Sequence, residues 1–235
     1  MTIENLTYLQ SPNYRDQHKH PDNKHLKQRV AIPRLKTSGL LQKIAFFGSA
    51  DIKETDPLYQ EAFNAAQMLA RNGKTIVNGG GPGIMNASTQ GAKSVEGDTL
   101  GITFYPEDMP EFEGRESLNL VDQEFRTANY IERMMGLLSE SDAFVVFKGG
   151  TGTLSEWATA WLLGHLYYDK FKPLFLYGEF WHEFMESVNQ HFMIGKSEQK
   201  VYKIVNNLPE LLEAIHKTEK EFAKTYEGIQ SEPVK

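Results

Sequence analysis

The sequence predicts an α/β protein: a Rossmann-like, doubly wound, mostly parallel sheet of about seven strands with helices on both faces. Three observations predict it. Short apolar runs rich in Val, Ile, Leu and Phe alternate along the chain with segments of helical periodicity. The runs are near-continuous in hydrophobicity rather than alternating, which is the pattern of strands covered on both faces. Several of them end in glycine-rich turns that lead directly into the next helical segment, the junction at which such sheets hold ligands.

The elements follow in order. Ile44-Ala45-Phe46-Phe47 reads as a first strand, from Lys43, that ends in the polar turn Gly48-Ser49. Asp56-Pro57 has the form of an N-cap followed by proline at the first helical position. Leu58, Phe63, Ala66, Met68, Leu69 and Ala70 then recur with helical spacing until Asn72-Gly73. Lys74–Asn78 is the second strand. The turn Gly79-Gly80-Gly81-Pro82-Gly83 follows, and then a helix from Ile84 to Val95 closed by Gly97. Thr99–Phe104 is the third strand, Tyr105 to Ser117 a loop rich in Pro and Glu, and Leu118–Val121 a short fourth strand. Arg126 to Glu140 reads as a helix with Ile131, Met134, Met135 and Leu138 on one face. Asp142–Phe147 is the strand before Gly149-Gly150-Thr151-Gly152-Thr153, and a helix Thr153–Tyr168 follows. Strand Lys172–Tyr177, helix Trp181–Phe192, strand Val201–Val205 and amphipathic helix Leu208–Glu221 complete the pattern. The predicted organisation is a polar N-terminal arm over 1–42, a Rossmann-like domain over 43–217 and a polar tail over 218–235.

Composition bounds the function classes. The chain has 235 residues, 40% of them hydrophobic, enough for one substantial core. It has no apolar run of the roughly 18 residues that a membrane span needs, and its polar start carries no secretory h-region. The absence of cysteine excludes disulfides and thiolate metal sites and suits a cytoplasmic protein. A net charge of −6 argues against binding to nucleic acid polymers, although it leaves nucleotides open, since local groups hold those. His18, His20 and His25 are interleaved with lysines and read as a solvated segment rather than a metal site.

Chemistry concentrates at the strand-to-helix turns. Gly79, Gly80, Gly81 and Gly83 form one glycine cluster, and Gly149, Gly150, Thr151, Gly152 and Thr153 form another; Gly48 and Ser49 fall at the same sheet edge. Neither cluster ends in the Lys-Ser/Thr of a P-loop, and neither has the spaced G-x-G-x-x-G of dinucleotide binding. Each alone has the plain reading of a tight turn that needs positive φ. Two on separate junctions favour a site that grips a phosphorylated sugar from two sides, with backbone N–H groups and a helix N-terminus facing the anion. Glu156 has two readings. It is the last member of a capping box with Thr153 as N-cap, or it is a carboxylate held charged beside a bound sugar. Arg133 likewise is either an arginine snorkelling from a surface helix or a second active group. Arg126 is a further possible phosphate ligand, and His165, Tyr167 and Tyr168 read as packing or interface residues.

Taken together, these motifs resemble the LONELY GUY (LOG) family, whose signature is Pro-Gly-Gly-x-Gly-Thr-x-x-Glu after a strand, preceded by an arginine-containing helix. Gly149, Gly150, Gly152, Thr153 and Glu156 match the signature, and Arg133 stands at the corresponding distance upstream. Ser141-Asp142-Ala143-Phe144, Gly79-Gly80-Gly81-Pro82-Gly83-Ile84-Met85, Phe47-Gly48-Ser49 and Lys172-Pro173 match other parts of the pattern, so the similarity spans about Lys43 to Leu212. The resemblance implies a homodimeric enzyme that hydrolyses the N-glycosidic bond of nucleoside 5′-monophosphates, cytokinin ribotides among them, to free base and ribose 5-phosphate. It implies that Arg133 and Glu156 are the catalytic pair and that the glycine turns hold the 5′-phosphate. No metal and no cofactor is expected, pyridoxal phosphate included, because nothing singles out a Schiff-base lysine. The sequence departs from the pattern at Lys148, where the signature has proline, at Met134, where lysine usually follows the arginine, and over 162–171. A rival reading is a nucleotide- or cofactor-binding protein of the same fold without hydrolysis, similar to the molybdenum-cofactor carriers. A third is an interaction protein that uses the arm.

Overall fold

A computed structural model describes residues 41–106, 114–166 and 172–231. Apart from Leu41 and Gln42, the expected arm lies outside the described residues, as do Tyr167, Tyr168 and much of the loop expected before Ser117. The described chain runs β1 (Lys43–Phe47), α1 (Pro57–Arg71), β2 (Thr75–Asn78), α2 (Ile84–Lys93), β3 (Thr99–Phe104), β4 (Gln123–Thr127), α3 (Tyr130–Glu140), β5 (Ala143–Val146) and α4 (Thr151–Leu166). It continues with β6 (Leu174–Tyr177), α5 (Phe180–His191), α6 (Lys196–Gln199), β7 (Tyr202–Val205) and α7 (Leu208–Ser231).

The strands form one seven-stranded sheet in the order β4-β3-β2-β1-β5-β6-β7, and every neighbouring pair is parallel. The chain winds outward from β1 to β4, then returns to the other side of β1 as β5. The strand order therefore reverses between β1 and β5, and a crevice opens there at the C-terminal strand ends. β1 shows why the strands are apolar throughout. Successive residues point to opposite faces, so Ile44 and Phe46 pack under α1, α2 and α7, while Ala45 and Phe47 pack under α3, α4 and α5. Local signals set the helix ends. The Asp56 side chain accepts from Leu58 N at 2.8 Å ahead of Pro57, and Gly73 takes φ 74° past the end of α1. α1 and α2 approach so closely that a Cβ on Gly91 would lie 2.1 Å from the Phe63 carbonyl oxygen.

The structure corrects several boundaries. The fourth strand is Gln123–Thr127, not Leu118–Val121. It is a sheet edge with only β3 beside it, so its side chains are mostly exposed and carry no apolar pattern. Leu118 and Leu120, which suggested the strand, are 65% and 64% exposed. α3 consequently starts at Tyr130 rather than Arg126, with the Asn129 side chain accepting from Glu132 N at 2.9 Å. α4 begins at Thr151, two residues before the expected start. α6 was not expected, and α7 runs past Glu221 to Ser231. Its middle belongs to the packed body: Lys74 Nζ meets Glu219 Oε1 at 2.5 Å, the Leu41 N–H donates to the same oxygen at 3.1 Å, and Thr218 is buried.

Lys172 leads into β6 and closes the far end of α3. Its Nζ donates to the carbonyl oxygens of Leu138 and Ser139, both at 2.7 Å. Burial pushes the amine down from 10.5 to about 8, against the opposing pull of Asp142 and Glu140. In the unfolded chain the amine stays protonated up to its ordinary value, so between about 8 and 10.5 the unfolded state binds more protons than the native one. Stability must rise with pH wherever that holds. Urea unfolding from pH 7.5 to 10 is expected to show a rise in the wild type relative to Lys172→Met, whose curve lacks that component.

Candidate functional site

The crevice at the β1/β5 reversal is a cleft of about 390 Å³, lined by Gly48, Ala50 and Asp51 after β1, Gly79 after β2, and Gly150 to Thr153 and Glu156 on α4; Met85, Tyr130 and Arg133 complete it. Three strand-end turns interlock to make it. Ser49 N donates to the Lys148 carbonyl at 3.0 Å, and the Ser49 carbonyl accepts from Ile84 N at 2.9 Å. A Cβ on Gly83, where φ is 62°, would lie 2.2 Å from that same carbonyl oxygen. A Cβ on Gly149 would lie 2.2 Å from Thr153 Oγ1 and 2.8 Å from the Gly48 backbone. Glycine is needed at 83 and 149 because backbone occupies the space of a side chain.

The glycine turn after β2 is held from below by a buried amide network. Asn78 Nδ2 donates to Ser88 Oγ at 3.1 Å and Thr89 Oγ1 at 2.8 Å, and its Oδ1 accepts from Gly80 N at 2.8 Å. Asn119 Nδ2 donates to the Gly81 carbonyl at 2.8 Å, and Arg115 Nη1 to the Gly80 carbonyl at 3.0 Å. The turn is therefore rigid before any ligand arrives. Across the cleft, Leu154 N donates to the Gly150 carbonyl at 3.0 Å, so α4 has Gly150 as its N-cap. The N–H groups of its first turn, at Thr151, Gly152 and Thr153, precede any helical acceptor and are available to an anion at the positive end of the helix dipole.

This start removes the capping-box reading of Glu156. Thr153 is already inside the first turn and Glu156 lies in the second. Glu156 is 6% exposed and Arg133 is 3% exposed, which also overturns the surface-arginine reading. Arg133 Nη1 stands 3.8 Å from Glu156 Oε1, while its Nη2 donates to the Gly79 carbonyl at 3.3 Å and lies 3.3 Å from Met85 Sδ. One guanidinium thus bridges the carboxylate on α4 and the glycine turn after β2. A Cβ on Gly79 would fall 1.6 Å from Arg133 Nη2, so that glycine makes room for it. Buried charges of opposite sign stand only as a pair.

Other sequence candidates lie elsewhere. Arg126 is on β4, 67% exposed, with its guanidinium over the Tyr105 ring at 4.4 Å and 3.8 Å from Glu124. Lys148 is exposed at the head of the Gly149–Thr153 turn, and the Ser49 bond uses its carbonyl, which proline also has. Met134 is buried in the core beneath α3 and α4. Tyr130, Met85 and Asp51 line the cleft without having been singled out in the sequence. Tyr130 had a legible signal, since it stands three residues before Arg133 and therefore shares its helix face. Among the described residues, no group of three or more His, Asp and Glu side chains is placed to hold a metal.

Fold and cleft together define an α/β protein with a glycine-lined crevice at the reversal point of its parallel sheet. The chain belongs to the SLOG cluster4 family, whose family model matches residues 41–201. It is 30% identical over 120 residues to an uncharacterized protein of Archaeoglobus fulgidus, covering 51% of this chain and 74% of that one. Among solved structures it resembles TM1055, with TM-score 0.58 and 21% identity over 75% of this chain and 99% of that one. It also resembles the molybdenum cofactor binding protein of the phototrophic bacterium Rippkaea orientalis, with TM-score 0.55 and 23% identity over 75% of this chain and 96% of that one. At such identities the two structures speak for the fold alone.

Removing Arg133 takes away a cation 3.8 Å from the buried Glu156 carboxylate. Arg133→Met is expected to lower the unfolding free energy by about 3 kcal/mol or more. Adding Glu156→Gln is expected to recover part of that loss, because the buried charge is gone. Urea unfolding of the two single variants and the double variant at pH 7 measures the coupling.

Proposed function

We propose that the protein is a LOG-like phosphoribohydrolase, which hydrolyses the N-glycosidic bond of a nucleoside 5′-monophosphate to free base and ribose 5-phosphate. The carrying observation is that the anion turn and the buried carboxylate sit on one helix. Gly152 and Glu156 are four residues apart and so share a face, about 6 Å along the axis. That is the scale of a ribose ring between its phosphate and its anomeric carbon. The cleft of about 390 Å³ suits a mononucleotide.

In this reading the phosphate is held by the backbone N–H groups of Gly150–Thr153 and by the facing turn Gly79–Gly83, with Gly48 and Ser49 closing the floor. Glu156 faces the anomeric carbon and stabilises positive charge as the bond to the base breaks. Water adds to that carbon, the bonding pair leaves with the base, and the water proton ends on the base. Arg133 orients Glu156 and supports the departing base. No cofactor enters these steps. The absence of cysteine fits a reducing, cytoplasmic setting, and no described helix is long and apolar enough to cross a membrane.

Exposed apolar residues support a homodimer. Ile131 on α3, Leu154, Leu162 and Leu166 on α4 and Phe184 on α5 are exposed, whereas no large exposed apolar residue is found among the described side chains of α1, α2 and α7. Light scattering is expected to give twice the chain mass, and Leu162→Glu to lower it.

A second reading, binding without hydrolysis, draws on the fold likeness to the molybdenum cofactor binding protein. A panel of nucleoside 5′-monophosphates, cytokinin ribotides included, separates the two when free base is followed by chromatography. Base release from at least one member is expected, with Glu156→Gln slower by about a hundredfold or more. Tight binding with no base released at high protein concentration would establish the second reading instead.

A further inference from the structure

We infer that Tyr130 is a ligand-binding residue whose hydroxyl donates a hydrogen bond to the phosphate held at the head of α4; this rests on reading the cleft as a phosphate site. Tyr130 is the first residue of α3, and its backbone is fixed by a reciprocal cap. The Asn129 side chain accepts from Glu132 N at 2.9 Å, while Glu132 accepts from Ala128 N at 3.1 Å and from Asn129 Nδ2 at 2.9 Å. Phe104 and Arg133 are among the ring's neighbours. Phe104 meets it edge-on with centroids 6.5 Å apart and an 82° interplanar angle, and the Arg133 guanidinium carbon lies 5.6 Å from its centroid.

The ring carries its hydroxyl across to α4. A Cβ on Gly152 would lie 2.8 Å from Tyr130 Oη, so the hydroxyl rests against the Cα of Gly152. Any side chain at 152 would displace it, which gives that glycine a reason beyond turn geometry. Gly152 belongs to the anion turn, and its face of the helix carries Glu156 one turn later. The hydroxyl is therefore placed beside the turn's N–H groups and ahead of the carboxylate, at the phosphate end of the cleft that Tyr130 lines. The oxygen adds a donor where negative charge is expected, and a hydrogen bond to a charged partner is stronger than one between neutral groups.

Tyr130→Phe removes only that oxygen. Isothermal titration with ribose 5-phosphate, and with adenosine as the ligand lacking phosphate, tests the assignment. The variant is expected to bind ribose 5-phosphate about tenfold or more weakly, with adenosine affinity as in the wild type. Gly152→Ala, which pushes the hydroxyl away, is expected to weaken ribose 5-phosphate in the wild type but far less in the Tyr130→Phe background. Unchanged ribose 5-phosphate affinity in Tyr130→Phe, or an equal loss for adenosine, overturns the inference even where base release in the nucleotide panel proceeds. If phosphate-dependent binding weakens as expected but no nucleotide is cleaved, the hydrolytic reading falls and the assignment of Tyr130 stands. A wild-type protein that binds ribose 5-phosphate no better than ribose overturns both.

Discussion

Ser49 is the residue on which the cleft depends. Its N–H reaches the Lys148 carbonyl just past β5, and its carbonyl takes the first N–H of α2. Those two bonds join the strand-end turns of β1, β2 and β5 into one backbone surface. The surface can close only because Gly83 and Gly149 have no side chain where the neighbouring backbone and Thr153 lie. Parallel strands all end at the same sheet edge, so a doubly wound sheet brings such turns together at its reversal point without special provision. What this chain adds is contact close enough to hold them rigid, with the amides of Asn78 and Asn119 bracing the β2 turn from beneath.

On that surface stands a buried ion pair that the fold does not require for packing. A hydrophobic pair of similar volume would usually serve stability as well or better. Arg133 and Glu156 are instead kept at the bottom of an open cleft, 3.8 Å apart, with the guanidinium also tied to Gly79. Charged groups held in a crevice against that cost are common at functional sites. The same guanidinium links α4 to the glycine turn after β2.

Legibility in the sequence followed burial. The central strands are sealed on both faces, so their apolar runs and following glycines stood out, and β1, β2, β3, β5 and β6 fall where the pattern put them. The edge strand β4 did not, because one partner and open solvent leave its residues polar. Its misplacement carried over to the start of α3, which hid the cap at Asn129. In the site, the glycine turns, Arg133 and Glu156 were recognisable as residue types at set spacings. Tyr130 was passed over although its spacing puts it on the helix face of Arg133, since an aromatic residue at helical spacing ordinarily signals core.

By itself, then, the sequence determined the order of the buried strands and the longer helices, the glycine turns at the strand ends and the identity of the two charged residues between them, because periodicity and turn chemistry are local properties. It left Glu156 open to a helix-cap reading and Arg133 open to a surface reading. Tertiary structure removed both. α4 starts at Thr151, which places Glu156 beyond capping range, and α3 lies against β3 and α4 so that Arg133 is buried across from it. Burial and pairing depend on which elements come to lie side by side, and no spacing along a single chain contains that information.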